Sequence, residues 1–343
     1  MRKANLSVLF VILISLIGWN LSAQKITYSV EKIWDNGSYA AFTSLIKYKG
    51  MYYCSFREGE SHIFDKNGNA EGKVRILVSK NGKKWESVAL IGKPTYDLRD
   101  PKLSVTADDR LMVIIGGSVY KDKVLTAAYP QVVFSSDGKT FTDPQPVNLD
   151  KQAYTGRDWI WRVTWDGKTG YGVNYGHHEN SDVLFLVSTT DGVNFKTVSK
   201  IDVDGFPNET TLRILPDKRM LMMIRRDGND KMGYWGVSMP PYTNWKLTKM
   251  GLRLGGPDFI ISNNDVIIAA TRSQCIQGSS RTILLKGDLE GHFGETFVLP
   301  SGSDCSYPGL LIVGKELWVS YYSSHETEKA CIYLAKLPLS LFN

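Results

Sequence analysis

Histidine and cysteine are scarce, with five and four among 343 residues. Cys54, Cys275, Cys305 and Cys331 include no Cys-x-x-Cys pair. No His-Glu-x-x-His stands anywhere, and His177-His178 and His325 lack partners at ligand spacing. Structural zinc and metal hydrolysis are therefore not expected, and no cofactor is called for. A large charge excess is also missing. The 41 basic and 35 acidic side chains are dispersed along the chain, which argues against a nucleic-acid partner. Sustained helical periodicity is absent, and a single long apolar run occurs, Leu6 to Ile17.

That run follows Arg2 and Lys3 and precedes Asn20-Leu21-Ser22-Ala23. A basic head, a short apolar stretch and small residues before Gln24 form a secretory signal over residues 1–23. A membrane span needs roughly 20 apolar residues, so no membrane association is expected after cleavage. The mature chain, 24–343, reads as one exported domain, periplasmic or secreted, with 39 basic and 35 acidic residues. Export permits disulfides. Cys275 and Cys305 stand in loop-like sequence and could pair, whereas Cys54 sits in a strand pattern and reads as a core residue.

What the sequence has is repetition. Ser79-Lys80-Asn81-Gly82-Lys83-Lys84-Trp85, Ser135-Ser136-Asp137-Gly138-Lys139-Thr140-Phe141 and Thr189-Thr190-Asp191-Gly192-Val193-Asn194-Phe195 share one form. Each follows an apolar strand-like run and precedes another. Such a turn needs an Asp or Asn that bonds nearby backbone and a Gly at positive φ. A second repeat, out of phase with the first, joins an apolar strand to a turn and another apolar strand. Its copies start near Ala41, Arg99, Trp159, Glu209, Gly256 and Ser306. The interval of roughly 50 to 60 residues suits a four-stranded propeller blade. The expected fold is all-β, a six-bladed β-propeller, with Ile26–Ile33 closing the ring against Cys331–Leu337.

In such a ring the starts of the innermost strands and the ends of the second strands share one face. Arg57, Glu58, His62, Arg99, Asp100, Arg162, His177, Glu209, Arg225, Asp258, Arg272, Asp304, His325 and Glu326 fall at such positions. They are the candidates for a convergent pocket. Trp159, Trp161 and Tyr175 have the character either of sugar-stacking platforms or of packing between blades.

The three hairpin turns resemble the Asp-box (BNR) repeats of the sialidase (neuraminidase) superfamily, in a form one residue shorter than the common one. Two blocks are also similar to that superfamily. One is Asn208-Glu209-Thr210-Thr211-Leu212 with Arg225 sixteen positions beyond Glu209; the other is Cys305-Ser306-Tyr307-Pro308-Gly309-Leu310. The resemblance implies retaining hydrolysis of a terminal acidic sugar, a sialic acid or a related ulosonic or uronic acid. Tyr307 would be the nucleophile and Glu209 its base. His62 or Asp65 would be the acid, and Arg225 with Arg272 or Arg281 would hold the substrate carboxylate. Arg57, Arg99, Asp100, Arg162 and His177 complete the expected substrate-binding set. The sequence departs from the resemblance in blade 1, where sialidases carry an Arg-Ile-Pro segment and this chain has Ala40-Ala41-Phe42-Thr43-Ser44. The expected partner is a glycan, anionic in character. Two alternatives stay open: a polysaccharide lyase or non-sialidase glycosidase acting on uronate-containing glycans, and a non-catalytic glycan-binding propeller.

Overall fold

The computed structural model describes residues 27–178, 181–262, 265–274 and 279–343. The signal segment and Cys275 lie outside them. Six sheets follow one another along the chain, antiparallel except where the short edge strand Asn148–Leu149 pairs parallel with Asn194–Ile201. Their innermost strands are Tyr39–Tyr48, Asp97–Val105, Asp158–Asp166, Pro207–Ile214, Asp258–Ile261 and Cys305–Val313, numbered here as blades 1 to 6. Second strands such as Leu111–Lys121 and Met220–Arg226 open with unbroken buried apolar runs, because both of their faces are covered there. The outermost strands, such as Lys246–Arg253, are largely polar and open to solvent.

The core is a set of seams rather than one centre. Each of six apolar clusters lies mainly between two neighbouring blades, and the one between blades 6 and 1 also takes in Trp161 of blade 3. Tyr53, Val74 and Ile76 of blade 1, for example, meet Leu111, Val113 and Val133 of blade 2. The ring is closed by the N-terminal strand Ser29–Trp34, which pairs antiparallel with Cys331–Pro338 of blade 6, Ser29 opposite Lys336. This is the closure expected from the sequence.

The three repeated hairpins carry the backbone chemistry their composition implies. Ser79, Ser135 and Thr189 accept the amide N–H of Gly82, Gly138 and Gly192 at 2.8–2.9 Å. Those glycines have φ of 70°, 71° and 78°. Each is also covered by an aromatic ring of an adjoining blade: Trp318 over Gly82, Tyr53 over Gly138 and Phe134 over Gly192. The turns therefore dock blades as well as reverse the chain.

Cys54, Cys305 and Cys331 are buried thiols. Cys305 opens the innermost strand of blade 6, not a loop as its sequence context suggested.

Candidate active site

Five of the six innermost strands slip register near their start, between Ala41 and Ser44, Arg99 and Lys102, Ile160 and Val163, Pro207 and Thr210, and Ser306 and Gly309. A bulge inserts an unpaired residue and re-aims its side chain. Here it turns Phe42, Asp100, Trp161, Glu209 and Tyr307 toward the centre of the ring. Phe42, Asp100 and Tyr307 take positive φ of 67°, 47° and 49°, a conformation that costs about 1–3 kcal/mol each for such residues. Phe42, Trp161 and Tyr322 pack around the Tyr307 ring.

Tyr307 and Glu209, 98 residues apart in the chain, meet at the centre. The phenol donates to Glu209 Oε1 at 2.7 Å. Arg225 Nη1 lies 2.9 Å from the phenol oxygen and 2.7 Å from Glu209 Oε2. The amide of Gly256 also donates to Oε2 at 2.7 Å. Both oxygens of Glu209 are thus fixed, and one of them faces the phenol proton. Burial pushes the Tyr307 phenol well above its ordinary range; the Glu209 charge adds to the rise, while Arg225 and Arg272 oppose it. The resting phenol is therefore protonated. Burial also works against the Arg225 charge, but Glu209, Tyr307 and Asp227 hold it protonated.

Arg272 lies over the Tyr307 ring, its guanidinium carbon 5.2 Å from the centroid. It donates to Asp304 at 3.3 Å. Asp304 also accepts from Tyr39 and from Tyr322, the latter at 2.7 Å, and meets His62 Nδ1 at 2.5 Å. Burial disfavours its charge, yet His62, Tyr39 and Tyr322 together draw its carboxyl down to about 2. Below Tyr307, the buried Lys102 ammonium donates to Thr43 O at 3.0 Å and stands 4.5 Å from the centre of the Trp161 ring. Thr43 in turn donates to the Tyr307 carbonyl at 3.0 Å. Asp100, also buried, leaves one carboxylate oxygen without a partner. Burial pushes its carboxyl up and the Lys102 ammonium down.

Beside Glu209 and Arg225 opens a cleft of about 440 Å³. One wall is Trp159 and Tyr175, stacked with centroids 6.2 Å apart at 19°. His177 is at its rim, bonded to Asp182 at 2.9 Å.

The structure thus brings Tyr307, Glu209, Arg225, Arg272, Asp100, Arg99 and His62 around one hollow. Four of the residues expected for catalysis or substrate binding take other positions. Asp65 accepts the amides of Asn67 and Asn69 at 2.8 Å and caps its own exposed loop. Arg57 is sunk beneath that loop on Asp97 at 2.8 Å and on Ser61 O at 2.8 Å. Arg162 points toward the far mouth of the channel, onto Asp258 at 3.3 Å and Pro308 O at 2.8 Å. Arg281 donates to Ser280 O, and among the described residues it makes no bond to Tyr307, Glu209 or Arg225. Local chemistry explains the first of these departures: an Asp followed by Asn67-Gly68-Asn69 satisfies its own turn.

Nor is the hollow a bare positive lining. Arg57 and Arg99 share Asp97, Arg225 has Glu209 and Asp227, and Arg272 has Asp304. Lys102, Tyr39 and Tyr322 escaped the sequence analysis, since each lies inside an ordinary-looking strand and its partners come from distant blades.

No protein-family profile and no curated protein matches the sequence. Solved structures do match. A Dyadobacter fermentans protein of unknown function superposes with a TM-score of 0.76 at 19% identity, over 90% of this chain and 99% of the other. Trypanosoma rangeli sialidase bound to the inhibitor DANA gives 0.71 at 10% identity, over 90% of this chain and 59% of that one. The chain has a sialidase-like propeller fold. Penicillium chrysogenum α-L-arabinanase, in complex with arabinobiose, shares this sialidase-like propeller at a TM-score of 0.69 and 14% identity, covering 92% and 99% of the two chains. A shared propeller does not itself fix a reaction.

Proposed function

We propose that this protein is an exported exo-glycosidase that removes a terminal acidic sugar with retention, using Tyr307 as nucleophile. The observation that carries the reading is the 2.7 Å bond from the Tyr307 phenol to Glu209, with Arg225 on both groups. Both structural neighbours named by activity act on glycans by their descriptions, which supports the general class. A phenol ordinarily ionises near pH 10, so it attacks only when a base takes its proton as the bond forms. Glu209 is that base. As the Tyr307 oxygen bonds the anomeric carbon, the glycosidic C–O bond breaks and His62 gives the departing oxygen a proton. Water then attacks the glycosyl-tyrosine intermediate, returning a proton to His62, and the phenol recovers its own from Glu209. Of the guanidiniums gathered around Tyr307 and His62, Arg272 and Arg99 have the longest carboxylate contacts, 3.3 Å against 2.7 Å for Arg225, and are the ones positioned to receive a substrate carboxylate. The stretch Ala40–Ser44 holds no arginine where the sialidase resemblance calls for one, which favours an acidic sugar other than N-acetylneuraminate.

A uronate lyase is the second reading. It is favoured by the contact of Arg99 Nη2 with His62 Nε2 at 3.3 Å, which leaves that nitrogen as an acceptor, as a base would need. Incubating the purified mature protein with sialosides and uronate-terminated oligosaccharides separates the two. Free reducing sugar without the ultraviolet absorbance of an unsaturated uronate supports hydrolysis. That absorbance would transfer the site to the lyase reading.

A further inference from the structure

We infer that the substrate's anionic group takes the Arg99 N–H now directed at His62, and that this frees His62 Nε2 to carry the proton given to the leaving sugar. The inference rests on the glycosidase reading above and adds a coupling between recognition and proton transfer.

The geometry fixes the resting state of the ring. A guanidinium has no acceptor, so in the 3.3 Å contact between Arg99 Nη2 and His62 Nε2 the arginine donates and the imidazole nitrogen accepts. Nδ1 then holds the ring proton and donates it to Asp304 Oδ2 at 2.5 Å. His62 is neutral in this arrangement, and its outer nitrogen, the one able to reach a leaving group, has no proton to give. Adding one there would set an N–H against a guanidinium.

Each neighbour defines the same arrangement. Asp304 is held by Tyr39, Tyr322 and Arg272, so it stays ionised and ready to stabilise a charged ring. Phe42 and Tyr39 stand edge-on to the imidazole at 5.3 and 5.8 Å and restrict its tilt. Arg57 fixes the loop backbone at Ser61 O and Ile63 O. Asp100 and Asp97 are the remaining charges beside Arg99. Arg99 itself is lightly tethered: one 3.3 Å bond to Asp97, with its guanidinium over the Phe42 ring at 5.0 Å. A sugar carboxylate at the hollow offers it a shorter, charge-assisted partner. Once Arg99 turns to that partner, a cation leaves His62 Nε2 and an anion arrives nearby. Both changes favour the imidazolium. The acid is thereby assembled only when an acidic sugar is seated.

Ring spectra of the mature protein test this directly, because the chain has five histidines and His62→Gln identifies the His62 signal. At pH 7, saturating galacturonate or 2,3-didehydro-2-deoxy-N-acetylneuraminate moves the His62 ring carbons toward imidazolium positions, and galactose does not. In Arg99→Gln the response to the acids is lost and their affinity falls about 10- to 100-fold. An acid that binds, by its effect on other signals, while His62 stays neutral overturns the coupling and leaves the glycosidase reading standing. Failure of every sugar acid to bind overturns both.

Discussion

At the scale of single residues, the proposed reaction depends on the proton that Tyr307 shares with Glu209. Tyr307→Phe keeps the ring, and with it the contacts to Phe42 and Trp161, but deletes the hydroxyl proposed as nucleophile. Turnover on any substrate found by the screen is expected to fall at least about 1000-fold with the circular dichroism unchanged; full activity in this variant would remove Tyr307 from the chemistry. Glu209→Gln preserves shape and removes the proposed base, so kcat is expected to fall about 100- to 10,000-fold, seen in steady-state kinetics. These two residues and Arg225 were legible in the sequence because short blocks with characteristic spacing surround them. Asp304 was visible as a candidate, but not its junction with His62, 242 residues away. Asp65 was misread because its role is decided by hydrogen bonds within its own loop.

Strands and turns were readable to within a few residues, since each blade alternates apolar runs with Gly-containing turns. The slipped register of the innermost strands was not. A bulge leaves the apolar pattern intact while changing which side chain faces the axis, which is how Arg162 came to be expected among the substrate-binding residues and lies instead on Asp258. At this scale the sensitive position is Gly256, in the turn leading into blade 5. It has φ of 59°, and a Cβ there would stand 2.3 Å from Tyr307 Cγ. Gly256→Ala therefore displaces the Tyr307 ring: the proposed activity is expected to be lost with only a modest drop in melting temperature. A second expectation concerns the support under the His62 loop. Asp97 and Arg57 are fully buried together, and Asp97→Asn leaves a buried cation without its partner at about 3–5 kcal/mol. Thermal unfolding should register this as a clear fall in melting temperature; an unchanged value would mean that Arg57 finds another partner.

The molecule as a whole holds six seams together, and some of that stability is titratable. Asp304 joins blade 6 to blades 1 and 5 through His62, Tyr39 and Arg272, with its carboxyl drawn down to about 2. A carboxyl depressed in the folded state stabilises the protein above its ordinary range near 3.9, and that contribution is lost as the pH falls toward 2. Denaturant unfolding should show Asp304→Asn less stable by about 2–3 kcal/mol at pH 7, with the difference closing below pH 4. A constant difference across that range would place the loss elsewhere.

The pairing of Ser29–Trp34 with Cys331–Pro338 has a consequence in time as well as in space. The segment synthesised among the first is the one used last: it waits, without a partner, until the final blade has emerged. Five blades can stack progressively as they emerge, but the rosette locks only when Cys331–Pro338 is present to pair with Ser29–Trp34. An unfinished or C-terminally clipped chain would therefore expose two raw sheet edges at once, and quality control could recognise it by that.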